Sequence, residues 1–178
     1  MNVEKLTSRA PGPLGEMLLV ATPDGSALCG LYLERQKYYP DTTVPLRDAP
    51  RLPLFLKAAS QLREYFAGAR TVFDLPLTPN GTAFQQDVWS AIRDVPFGET
   101  ISYAELARRC GRPSAIRAAG AATGRNPMTI IVPCHRIMGS GGALTGYAGG
   151  LDRKRALLDL ESRRMPSGLH DRRVTASV

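Results

Sequence analysis

The sequence predicts an α+β fold in which a mixed strand-and-helix first part is followed by a mostly helical second part. Three observations carry this reading. Two apolar runs flank a Pro-Asp-Gly turn in MLLVATPDGSALCGLYLE (17–34), which is a β-hairpin signal. After the proline- and glycine-bearing stretch PLTPNGT (76–82), apolar residues recur at helical rather than alternating spacing. Between 102 and 124, two short helical stretches flank a Gly-Arg-Pro break, the helix-turn-helix pattern.

The elements follow in order. After the hairpin comes a polar, proline-bearing stretch (35–50), then LFLKAASQLREYFAG (54–68), whose periodicity and closing glycine predict a helix. TVFDLPL (71–77) reads as a further strand. Thr82 is placed to cap AFQQDVWSAIRDV, where Phe84, Val88, Ala91 and Ile92 share one face. PFGET is a turn. Ser102 and Glu105 have capping-box spacing and open YAELARRC; Ser114 is placed to cap AIRAAGAATG, and Asn126-Pro127 ends it. A buried apolar stretch leads to Cys134, and LDRKRALLDLE (151–161) predicts a last amphipathic helix. The boundaries expected are 1–78, 79–162 and a basic tail, 163–178, expected to be disordered.

Composition narrows the function classes. Of the 178 residues 43% are hydrophobic, enough for a core, and no apolar run is long enough to span a bilayer. The start, MNVEKLTSRAPG, lacks a signal peptide's apolar centre, so a soluble, cytoplasmic protein without a membrane partner is expected. Cys29, Cys110 and Cys134 are odd in number and widely spaced, which argues against a disulfide framework. With only His135 and His170 and no Cys-x-x-Cys, no metal site is expected. The net charge of +7 is uneven: +1 over 1–81, +3 over 82–161 and +3 over the tail. Five arginines face one glutamate within 102–126, which suits either a nucleic-acid partner or a solvated basic face.

Chemistry concentrates at Ile-Val-Pro-Cys-His-Arg (131–136). If a helical turn begins at Pro133, its free N–H groups, with His135 and Arg136, would favour a thiolate at Cys134; a small buried hydrophobe is the other reading. Successive side chains diverge, so a direct Cys134–His135 proton transfer is awkward. A bridging water with a carboxylate behind the histidine solves this, and Glu99, Glu105, Asp152, Asp159 and Glu161 all qualify. On the second helix of the pair, Arg117 shares a face with Gly120, Ala121 and Gly124. Such a face suits close packing on another helix, or entry into a minor groove with one arginine pushed into the base stack. TGYAGG (145–150) is either a surface loop or a wall that receives a planar ring.

Together these segments resemble the O⁶-alkylguanine-DNA alkyltransferases. The resemblance rests on I-V-P-C-H-R, on Gly-Arg-Asn-Pro at 124–127, on S-Y-A-E-L-A at 102–107 with Arg117, and on T-G-Y-A-G-G followed by R-K-R-A-L-L-D-L-E. It is dense over 82–161 and loose before. It implies a ribonuclease-H-like first domain that supports a DNA-binding and alkyl-transfer domain. Within the latter, Cys134 is the alkyl acceptor, His135 activates it through water, and Glu161 orients the histidine. Asn126 hinges the second helix to the active-site turn. Tyr103 crowds the target phosphate and assists the leaving base, Arg117 fills the vacated stack, and Ser140 meets a phosphate. Tyr147 lies against the guanine, with Ala148 and Thr129 shaping the pocket where some relatives have serine and proline, and Lys154 near the leaving base. The implied partner is duplex DNA carrying O⁶-alkylguanine, with O⁴-alkylthymine as a further substrate. The implied protein is a monomer that uses no cofactor, associates with the nucleoid when bound to DNA, and turns over once. A sequence-specific regulator and a cysteine hydrolase are the rival readings of the helix pair and the thiol.

Overall fold

The computed structural model describes residues 4–40 and 46–163; the expected disorder of the basic tail lies outside the described residues, apart from Arg163. The first part is a four-stranded sheet with one helix. Strands β1 (Lys5–Ala10), β2 (Met17–Ala21), β3 (Leu28–Leu33) and β4 (Leu46–Asp48) lie in the order β3-β2-β1-β4. Neighbours are antiparallel except β1 and β4, which run parallel. All five residues of β2 are buried, as its unbroken apolar run requires. The expected hairpin is β2–β3. Its turn closes through Gly25 N–H donating to Thr22 O (2.8 Å), and Gly25 takes φ 72°, where a side chain would be strained. Helix α1 (Pro53–Phe66) begins with proline at its first position and buries Leu54, Phe55, Ala58, Leu62 and Tyr65.

The second part is helical. It contains α2 (Ala83–Arg93), α3 (Tyr103–Arg109), α4 (Ile116–Gly124) and α5 (Leu151–Ser162), with a short parallel pair, β5 (Ile101–Ser102) and β6 (Ile137–Met138). Thr82 caps α2 in a reciprocal capping box with Gln85. Trp89 on α2 donates its indole N–H to Ala122 O at 2.9 Å and ties α2 to α4. Among the described residues no helix is long and apolar enough to cross a membrane.

Four details depart from the sequence reading. Residues 71–77 form no strand: Gln61 of α1 takes both backbone groups of Asp74, Pro76 has no N–H, and only a bridge at Leu77 reaches Leu28. β1 and β4 were not expected, because β4 is three residues long and its parallel pairing depends on how the chain returns. Ser114 caps nothing; the first bond of α4 runs to Ala115 O, one residue later. Ser102 accepts from Glu105 N–H, but the Glu105 carboxylate turns to Arg108 and Arg109 instead of closing the box.

The two parts join along one edge. Leu31 N–H donates to Pro127 O (2.8 Å) and Thr129 N–H to Leu31 O (3.0 Å), so the chain leaving α4 runs beside β3. The β5–β6 pair then sets the start of α3 beside the turn that carries Cys134.

Candidate active site

Cys134 opens a single 3-10 turn, Cys134–Arg136, with Pro133 at its N-cap. The approach is a series of tight turns: Ile131 N–H donates to Thr129 O, Val132 N–H to Met128 O, and Cys134 N–H to Val132 O. Ile130 sits at φ 73°. For a β-branched residue this costs about 1–2 kcal/mol, which the surrounding core must supply. Asn126 ties the series together. Its Nδ2 donates to Val132 O (2.8 Å) and to Cys134 Sγ (3.2 Å), and its Oδ1 accepts from Met128 N–H (2.9 Å).

The thiol is buried, with 4% of its surface exposed. Burial raises its pKa above the usual value; the Asn126 hydrogen bond, the charge of Lys154 and the backbone N–H groups of Cys134 and His135 oppose this without overcoming it. The resting sulfur is therefore a protonated thiol that needs a base at the moment of reaction. Arg136 does not supply the positive charge that its position in sequence suggested. It turns away, and Lys154 supplies it.

Of the five candidate carboxylates, the fold brings Glu161 to His135, with Nε2 2.8 Å from Oε1. Glu161 is among the most heavily hydrogen-bonded groups of the described chain. Oε1 also accepts from Tyr65 OH (2.7 Å) and Arg136 Nη2 (2.9 Å), and Oε2 from Arg136 Nε (2.9 Å) and Gly98 N–H (3.0 Å). Burial alone would raise this carboxyl, but the hydrogen bond from His135 and the hydrogen bonds and charge of Arg136 outweigh it and hold it ionised well below the carboxylate range. An ionised Glu161 requires the proton of His135 to sit on Nε2. Nδ1 is then a bare lone pair, and it has no partner among the described residues. Burial lowers the imidazole pKa against the pull of Glu161, so His135 is a neutral base at pH 7.

Around this centre, Tyr103 donates to Gly146 O (3.3 Å) and lies 3.7 Å from where a Cβ on Gly120 would stand, so the small-residue face of α4 packs partly on Tyr103. Burial, then the neighbouring sulfur, raise the phenol pKa of both Tyr103 and Tyr147. The Tyr147 hydroxyl is enclosed and has no hydrogen-bond partner among the described residues. Lys154 is buried and donates to Ile137 O (2.5 Å) and Thr145 O (2.6 Å); burial lowers its pKa to about 8. It thereby clamps β6 to the glycine-rich loop. Thr129 donates its hydroxyl to Gln36, and Ala148 O accepts from Lys37 N–H, so both positions are anchored to the first part. Arg117 and Ser140 are exposed, away from the buried network. Among the described residues no group of three or more His, Cys, Asp or Glu could hold a metal.

Two residues of this network escape sequence reasoning. Arg136 carried a signal, because an arginine inside a buried run needs a carboxylate. Tyr65 carried none; on α1 it reads as one more core aromatic.

Fold and site together define a two-part protein: an α/β half docked on a helix-turn-helix half that holds a buried cysteine, backed by a histidine and a heavily bonded glutamate. Residues 83–163 match the 6-O-methylguanine DNA methyltransferase DNA binding domain, and residues 8–79 the ribonuclease-like domain of the same family. The chain belongs to the 6-O-methylguanine DNA methyltransferase family. It is 48% identical over 157 residues to the methylated-DNA–protein-cysteine methyltransferase of Mycobacterium tuberculosis, covering 88% of this chain and 92% of that protein. The relative of the same name from Haemophilus influenzae is 43% identical over 152 residues, covering 85% and 83%. The crystal structure of Mycobacterium tuberculosis OGT in complex with DNA aligns with a TM-score of 0.84 at 46% identity, covering 90% of this chain and 95% of that one.

Proposed function

We propose that this protein repairs duplex DNA by turning an O⁶-alkylguanine out of the helix and moving the alkyl group irreversibly to Cys134, once per molecule. The observation that carries this reading is the Cys134 thiol, held by Asn126 beside a neutral His135 whose tautomer Glu161 fixes. In the transfer, sulfur bonds to the alkyl carbon as the carbon–O⁶ bond breaks and its electrons pass to the guanine. The thiol proton leaves towards Nδ1 of His135 through a water, and the imidazolium gives up an equivalent proton, by way of solvent, to N1 of the guanine, so charge balances. A soft thiolate suits attack on sp³ carbon, and an aligned pocket lowers the barrier by holding sulfur and carbon in reach. The thioether has no nearby group to cleave it, which limits each molecule to one event.

DNA engagement falls to the α3–α4 unit. Arg117 fills the gap left by the flipped base, Tyr103 crowds its phosphate, and Ser140 meets the backbone. Tyr147 faces the guanine with Thr129 and Ala148 at the pocket edge, and Lys154 holds the loop that carries Tyr147. The protein acts as a monomer, with O⁴-alkylthymine as a second substrate.

Intact-mass measurement after mixing with a duplex containing O⁶-methylguanine tests the reading. The expected result is one added methyl group, on Cys134, and no more than one event per chain. An unmodified protein whose affinity depends on base sequence alone would establish the regulator reading instead. Arg117→Ala is expected to slow transfer from duplex by about tenfold, since unstacking is no longer compensated. Transfer from a single-stranded oligonucleotide should change less than about twofold, and single-turnover rates on both substrates check this.

A further inference from the structure

The pair that activates the thiol lies in the second part, yet one donor to it comes from the first. Tyr65 sits on α1, 96 residues from Glu161 in sequence, and its hydroxyl reaches Oε1 at 2.7 Å. Both side chains are buried. The phenol cannot swing away, because its ring is boxed by Phe66, Phe73 and Phe97 at centroid distances of 5.4, 5.5 and 6.1 Å. Phe97 also lies under the Arg136 guanidinium at 5.7 Å. The two donors that flank the carboxylate thus share one rigid wall.

We infer that Tyr65 is a positioning residue for alkyl transfer, through which the ribonuclease-like part sets the strength of the His135 base. This rests on the proposed function. Arg136 fixes the plane of the carboxylate through two hydrogen bonds, while Tyr65 and His135 compete for the same oxygen, Oε1. Each donor on Oε1 reduces the negative charge left to stabilise an imidazolium. The other charged groups that act on His135 are Arg136 from its own turn and Lys154 from α5, which disfavour the imidazolium; Tyr147, on the glycine-rich loop, interacts with Cys134, Tyr65 and Glu161. Among the described residues the neutral donors to the carboxylate, besides His135 itself, are Tyr65 and Gly98 N–H; of these two, Tyr65 is the one on Oε1, the oxygen that faces the histidine and that also accepts from Arg136 Nη2.

The sign follows. Tyr65→Phe keeps the aromatic box and removes one competitor for Oε1, so the imidazolium is better stabilised and the base is lost to protonation at higher pH. The acid limb of the transfer rate, measured in single turnover on an O⁶-methylguanine duplex, is expected to move up by about one pH unit. Below the midpoint the variant is then about tenfold slower, and well above it within about twofold of wild type. Alkylation of Cys134 by iodoacetamide without DNA should show the same displacement. Site-specific 3-fluorotyrosine at position 65, a stronger donor of nearly the same shape, should move the limb the other way and needs no change of packing.

Superimposable profiles, or a loss equal at every pH, would overturn the inference; an equal loss would make Tyr65 a packing residue only. Because iodoacetamide needs no DNA, its profile tests Tyr65 even if wild-type protein takes no methyl group from the duplex. That second result would remove the proposed function and leave the coupling of Tyr65 to His135 standing.

Discussion

Replacing Cys134 by serine is expected to reduce alkyl transfer by at least about 10⁴-fold, a barrier increase of about 5 kcal/mol, while folding and duplex affinity hardly change. The physical basis is a contrast between shape and nucleophilicity. A serine hydroxyl fits the volume of the thiol and can still accept the Asn126 amide at the position where sulfur now stands 3.2 Å away. It should cost no more than about 1 kcal/mol in stability. The hydroxyl is far harder to deprotonate, and burial, the largest influence on this site, disfavours its anion as it disfavours the thiolate. A neutral His135 cannot make up that difference. Single-turnover transfer, urea denaturation and anisotropy on an undamaged duplex measure the three quantities. Methylation of the serine variant at a rate near wild type would show that position 134 is not the acceptor. A serine variant that loses duplex affinity would show that Cys134 shapes the DNA surface and not only its chemistry.

Much of this site was legible in the sequence, and the part that was not has a common cause. The hairpin, the Thr82 cap, the helix pair and the last helix all rest on local signals, meaning spacing, turn chemistry and a capping residue. Each forms where those signals fall, except that the second helix of the pair begins one residue later than the expected Ser114 cap would set it. TVFDLPL failed as a strand because both backbone groups of Asp74 are claimed by Gln61, a side chain 13 residues earlier on α1, which no strand pattern reveals. The adjacency of Cys134 and His135 made a direct pair awkward, and among the described residues no hydrogen bond joins the two side chains. Spacing left five carboxylates open, because only the return of α5 beneath the 3-10 turn decides among them. Resemblance selected Glu161, and the 2.8 Å contact to His135 agrees with that choice. The charge expected from Arg136 illustrates the limit: its place in sequence is beside the sulfur, but its side chain follows the carboxylate it must pair with. Tyr65 lies beyond sequence reasoning altogether, since an inward-facing tyrosine on an amphipathic helix looks the same whether its hydroxyl is idle or holds a glutamate.

That dependence on a single carboxylate makes Glu161→Gln the sharpest test of how the two parts work together, because stability and chemistry should fail at once. Glu161 accepts from five donors, and Arg136 supplies two of them from a largely buried guanidinium. A glutamine offers one acceptor oxygen and presents an amide N–H₂ to groups that are themselves donors. It also leaves the Arg136 charge without its counter-ion. The expected cost is about 3–5 kcal/mol, a large share of the roughly 5–15 kcal/mol that holds a domain folded. The tautomer of His135 is no longer enforced, so transfer by the folded fraction should fall by about 10³-fold. The pH dependence separates these effects from a general loss of packing. In the wild type the carboxyl's folded pKa lies below its ordinary 4.5, so its contribution to stability is complete above that value and is lost as pH falls through the folded pKa. His135, lowered from 6.5 by burial, acts in the same direction: stability declines as pH falls below 6.5, where the unfolded imidazole takes a proton and the buried one does not. The glutamine variant lacks the first of these contributions. The gap between wild type and variant in urea denaturation is therefore expected to be widest at about pH 7 and to narrow once pH falls below about 4.5. A gap that stays constant with pH would mean that Glu161 serves by its shape alone, and that the charge shared among His135, Arg136 and Tyr65 is not what holds this site together.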